Sequence, residues 1–63
     1  MPVAESWLHR AERYRVRAEE MRAIGESMHD PLTKGSFERL AQDYEKMAAD
    51  ATLWAQQEKD RNA

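Results

Sequence analysis

The residues of this chain that could hold a metal, move a proton or grip a phosphate fall into two small sets. Glu26 and His29 stand three apart, and Glu5 and His9 four apart, so each pair shares one face of a helix. Glu-x-x-His is the ligand spacing of di-iron carboxylate bundles. Here Glu26 and His29 would project to a helix flank at a fraying end, and the facing position on a second helix, near Gly35, offers no carboxylate. The expectation is two solvated Glu-His pairs, with no metal site and no relay between histidines so far apart. The second set is Arg10, Arg13, Arg15, Arg17 and Arg22, whose forked guanidinium groups suit phosphate. Five Glu interleave with these five Arg between residues 1 and 29, whereas a nucleic-acid face normally carries an uncompensated patch. Arg10, Arg13 and Arg17 are the candidate contacts if the chain binds RNA. With no cysteine nucleophile, no Gly-rich phosphate loop and no Ser/His/Asp set, neither an enzyme nor a cofactor is expected.

Two seven-residue ladders must position whatever these side chains do. In the first half Ala4, Ala11, Ala18 and Gly25 repeat every seven positions, beside Trp7, Tyr14, Met21 and Met28. The second half answers with three rows: Leu40, Met47 and Trp54; Phe37, Tyr44 and Ala51; Ala41, Ala48 and Ala55. Spacings of three and four that total seven place such residues on one face of a helix whose partner is another helix. The fold class is all-α, an antiparallel two-helix hairpin.

One breaker cluster interrupts the pattern, from Met28 to Gly35. Asp30 is a good N-cap, and Pro31 suits the first helical position, where its missing N–H would have no partner. Proline also pushes the residue before it out of helical geometry. The chain is thus expected to form helix 1 over about 3–28, a turn at about 29–31, helix 2 over about 31–59, and a frayed terminus at 60–63. Folding back at this turn pairs Trp7 with Trp54, Tyr14 with Met47 and Met21 with Leu40, large against large. On the other side of the seam it pairs Gly25 with Phe37, Ala18 with Tyr44 and Ala11 with Ala51. Arg10 and Arg17 would then flank the seam opposite Asp50 and Asp43, while Glu12 with Arg15 and Glu19 with Arg22 support the first helix locally.

A chain of 63 residues buries only ~60% of the surface its unfolded form exposes, and a core this small seldom supplies more than ~3–5 kcal/mol. Without cysteine no disulfide can help, which suits a reducing compartment, so association is the remaining route. Ala41, Ala48 and Ala55, with Leu8 and Ile24, are the candidate dimer interface, and two hairpins would join as a four-helix bundle. Charged residues make up 35% of the chain with a net charge of −2, a balance that favours solubility over a polyanionic partner. The first ten residues hold no apolar run of signal-peptide length and no stretch reaches membrane-spanning length, so a cytoplasmic protein is expected.

Tyr14-Arg15, Ala18-Glu19-Glu20, Met28 with Asp30-Pro31, Leu40-Ala41 with Tyr44, and Met47-Ala48 together form a packing and turn signature. In these positions the chain resembles the very short helical-hairpin proteins abundant in alphaproteobacteria. That resemblance implies a hairpin fold and a small bacterial protein, and no biochemical role. In length and small-large layering the chain is also similar to the Rop proteins of plasmid copy control, dimeric hairpins that bind RNA. The resulting expectation is a non-enzymatic interaction module, a homodimer that binds a larger protein partner. The alternative is a Rop-like RNA-binding regulator that uses Arg10, Arg13 and Arg17.

Overall fold

The computed structural model describes residues 6–62 and is all-helical in two elements, α1 (Trp7–Glu26) and α2 (Pro31–Asn62), which pack against each other. Helix α1 starts at Trp7 and not near residue 3, because Ser6 is extended (φ −69°, ψ 154°) and its hydroxyl accepts the His9 N–H at 3.1 Å. An N-cap in that geometry ends the helix on its N-terminal side. Residues 3–5 lie outside the described residues.

The reversal occupies Ser27 to Asp30. The ladder tightens there, with the Ser27 N–H donating to the Ile24 carbonyl at 3.1 Å and the Met28 N–H to that of Gly25 at 3.1 Å. The Ser27 hydroxyl adds a 2.8 Å bond to the Ile24 carbonyl. Short-range bonds of this kind satisfy carbonyls that a helix end leaves open, so α1 stops two residues before the expected position. Helix α2 opens on Asp30: its Oδ2 accepts the Thr33 N–H at 3.0 Å and the Thr33 hydroxyl at 2.8 Å. At the other end, residues 60–62 are helical where fraying was expected. Lys59 and Arg61 stand in the last turn, where their charge complements the carbonyl end of the helix dipole.

Small residues line the seam. Ala11, Ala18 and Gly25 of α1 and Ala41, Ala48 and Ala51 of α2 are buried, and among the described residues no large side chain is completely so. At Gly25 an added Cβ would lie 3.1 Å from Phe37 Cβ and 3.6 Å from the Lys34 carbonyl oxygen. This close approach fixes the register of the antiparallel pair, bringing Ala18 level with Tyr44, Tyr14 with Ala48, Ala11 with Ala51 and Trp7 with Ala55.

Leu40, Met47 and Trp54 were expected in the seam as its bulky row, but they remain 43%, 41% and 45% exposed. The row one residue further on, Ala41, Ala48 and Ala55, takes their place. Small residues then fill the middle of the seam, while the expected pairing of Trp7 with Trp54 is kept beside it, where the two rings meet. Consequently Ala41 and Ala48 are closed inside the hairpin and cannot serve as a dimer face, and Ala55 is partly covered at the Trp7 level.

The seam and the turn can each be tested by stability. Gly35 has nothing within 4 Å of an added Cβ. Gly35→Ala should therefore stabilise by about 0.5–1 kcal/mol, as expected in an open helix interior. Gly25→Ala should gain nothing, because Phe37 Cβ is anchored to its own backbone and the helices must part. Urea melts of both variants decide this, and equal gains would show that the helices separate there freely. At the turn the test is acid. The Thr33 hydroxyl, and then the Thr33 N–H, hold the Asp30 carboxyl below its ordinary value of 3.8. A carboxyl with a lower value in the folded state contributes fully above about pH 4 and loses that contribution as pH falls through the folded value. Thermal melts between about pH 5 and 2 should show the parent weakening more than Asp30→Asn, which keeps an acceptor but cannot titrate.

Candidate functional site

The seam leaves the hairpin with two unlike flanks. Residues that follow the large seam positions lie on one flank, among them Arg15 and Arg22 of α1 and Glu45 and Thr52 of α2. This flank is closed by polar contacts. Arg15 Nη2 donates to the Thr52 hydroxyl at 3.1 Å, the Thr52 hydroxyl donates to the Ala48 carbonyl at 2.9 Å, and Arg22 forms an ion pair with Glu45. Arg15 and Arg22 were expected to bond Glu12 and Glu19 of their own helix. They reach across instead, to Thr52 and Glu45 of α2.

The other flank carries the residues that precede the small seam positions: Arg10, Arg17 and Ile24 on α1, and Leu40, Met47 and Trp54 on α2. It stays open. Trp54 meets Trp7 edge to face, with ring centroids 4.8 Å apart and an interplanar angle of 66°. The Arg10 guanidinium lies 4.7 Å from the centroid of the Trp7 ring. Tyr14 and Tyr44 stack across the helices at 6.3 Å and 28°. Arg10, Arg13, Tyr14, Arg17 and Tyr44 line a cavity of about 250 Å³ on this side. Edge-to-face rings and a cation over an aromatic face each contribute about 0.5–1.5 kcal/mol, which here joins cation, ring and ring into one row.

The expected cross-helix pairs of Arg10 with Asp50 and Arg17 with Asp43 do not form within the hairpin. Arg10 takes the Trp7 ring, and Arg17 bonds Glu20 one turn along its own helix at 3.1 Å. Of the candidate dimer residues outside the seam, Leu8 and Ile24 are both exposed, but on opposite flanks. Leu8 stands seven before Arg15 on the closed side, and Ile24 seven after Arg17 on the open side. The open flank thus keeps Ile24 and gains Leu40, Met47 and Trp54, which the pattern of the sequence assigns to the core. Their repeat of seven is legible in the residues, and the choice between two adjacent rows is not.

Glu26 and His29 are both exposed, Glu26 at the last position of α1 and His29 in the turn. Among the described residues no three His, Cys, Asp or Glu side chains gather in a way that could hold a metal ion, and Glu5 lies outside them. No described helix is long and apolar enough to cross a membrane. The geometry defines a two-helix hairpin with one closed and one open long side. No protein-family model, curated protein or solved structure matches the chain.

If the open aromatic row holds the far end of the hairpin together, Trp7→Ala should cost about 3 kcal/mol or less, since its partner Trp54 is only half covered. Removing the closed-side ion pair with Glu45→Gln should cost no more than about 1 kcal/mol, because both partners are nearly half exposed. Denaturant melts rank the two, and a larger loss at Glu45 would place the main cross-link on the closed side.

Proposed function

We propose that this chain is a non-enzymatic helical interaction module that works in the cytoplasm as a homodimer, two hairpins joined in a four-helix bundle whose outer helix faces bind a larger protein. The observation that carries this reading is the shape. The Cα atoms fill 50 × 25 × 11 Å, a single layer of helices, whereas stable domains pack two layers around a core. Half-exposed Leu40, Met47 and Trp54 line one side of that layer. Covering the part still exposed would add roughly half of the ~1.5–3 kcal/mol that full burial of such a side chain contributes, stabilisation that a lone hairpin forgoes. The absence of cysteine suits a reducing compartment.

Sedimentation equilibrium should give a mass twice 7.4 kDa, and the melting temperature should rise with protein concentration. A monomer whose melting is independent of concentration overturns the reading.

A second reading has one observation in its favour. Arg10, Arg13 and Arg17, the candidate RNA contacts, line the same cavity as the stacked Tyr14 and Tyr44. Guanidinium groups beside aromatic rings are the materials of single-strand recognition. Titration with bulk RNA tests it: binding that weakens steeply with salt supports an RNA-binding regulator, and no binding at low salt removes it.

A further inference from the structure

The open flank is complementary to itself. Along α1 it carries Arg10, Arg17 and Ile24, and along α2 it carries Leu40, Met47 and Trp54 interleaved at spacings of three and four with Asp43 and Asp50. One helix of the flank is therefore basic at the end away from the turn, and the other is apolar and acidic over the same length. Asp43 and Asp50 make no ion pair or hydrogen bond among the described residues. Arg17 and Glu20, the pair that occupies Arg17, are 57% and 48% exposed, so that bond is readily exchanged for another.

Resting on the homodimer reading, we infer that the open flank is covered by the same flank of a second copy, related by a two-fold axis parallel to the helices. Rotation about such an axis keeps every residue at its own height and sets α1 of each hairpin antiparallel to α2 of the other. Arg10 then lies level with the partner's Asp50, and Arg17 with the partner's Asp43. By symmetry each contact forms twice. A two-fold axis running across the helices would set α1 antiparallel on the partner's α1 and α2 on its α2 instead, so that neither Arg10 nor Arg17 would face Asp50 or Asp43.

The area is adequate. Twenty residues of α1 span about 30 Å, and two packed helices with their side chains are about 20 Å across, so the face offers about 600 Å² per protomer, at the lower end of the ~600–1,000 Å² per partner of a standard interface. Apolar Ile24 and Leu40 stand at its turn end and Met47 and Trp54 further along, with Arg10, Arg17, Asp43 and Asp50 interleaved, so apolar and charged contacts alternate along the face.

Charge exchange between copies tests this geometry. One variant carries Arg10→Glu with Arg17→Glu, the other Asp43→Lys with Asp50→Lys, and circular dichroism checks that each remains helical. Each alone should dimerise roughly tenfold more weakly or worse, since four attractive pairs become repulsive. An equimolar mixture should recover the dimer with one chain of each kind, read by native mass spectrometry. If both variants dimerise as the parent does, another face is used and the inference fails while the homodimer reading stands. If both weaken and mixing restores nothing, the charges act within a hairpin and the inference fails. A monomeric parent overturns the homodimer reading itself. Single changes probe the same face without multiple charge reversals: Met47→Glu should abolish the dimer and Leu53→Glu, on the back of α2, should leave it intact, and the opposite pattern overturns the inference.

Discussion

Two helices come close only where side chains stop near Cβ, and this hairpin meets that condition by giving each level of the seam at least one small residue. Gly25 against Phe37 is the limiting case, with no room for an added methyl unless the helices part. The register set there passes along the pair to Ala18, Ala11 and the Trp7 level. Everything else in the structure is subordinate to this spacing. With small residues at its centre the seam buries Ala and Gly fully and large side chains only partly. Apolar area that a wider-spaced pair would have enclosed is displaced to the long sides.

Those sides then diverge because of what chemistry stands beside the seam. Arg15 and Arg22 are long enough to reach Thr52 and Glu45, so one side is sealed by polar bonds whose groups remain wet. On the other side the neighbours of the Arg residues are rings and aliphatic chains, and Arg10 settles on Trp7 in place of a carboxylate. Exposed ion pairs contribute little, ~0–1 kcal/mol, so these contacts orient the helices more than they stabilise them. Their consequence is a molecule with a hydrophilic side and an amphipathic one.

Much of this is legible in the residues. Asp30-Pro31 marks the start of α2, and the bonds from Thr33 to Asp30 supply the physical reason. Paired ladders specify a hairpin, and Gly25 faces Phe37 as complementary volumes require. What the sequence leaves open is a rotation of α2 by one residue, about 100°. Leu40, Met47 and Trp54 repeat with the same period as Ala41, Ala48 and Ala55, so periodicity alone cannot tell which row turns inward. Hydrophobicity favours the bulky row and close approach favours the small one, and only the volumes already present on α1 decide. The same rotation explains why Ala41 and Ala48, expected on a dimer face, are enclosed instead. Charge pairing is less legible still, because an Arg can reach several acceptors and a ring competes with them all.

A seam built from alanine also bears on how folding and association relate. Burying a methyl group contributes about 0.8 kcal/mol, whereas fixing the backbone of one residue costs about 1–2 kcal/mol, so small-residue layers return little for each residue they order. Helix propensity lowers that cost, since Ala, Glu and Arg make up most of α1 and, with Lys and Gln, half of α2. It does not remove it. The displaced side chains on the open side represent stabilisation that is realised only when something covers them. On the proposed homodimer reading, a hairpin of this composition gains stability from contact with a second layer, and its folding and association are linked through protein concentration.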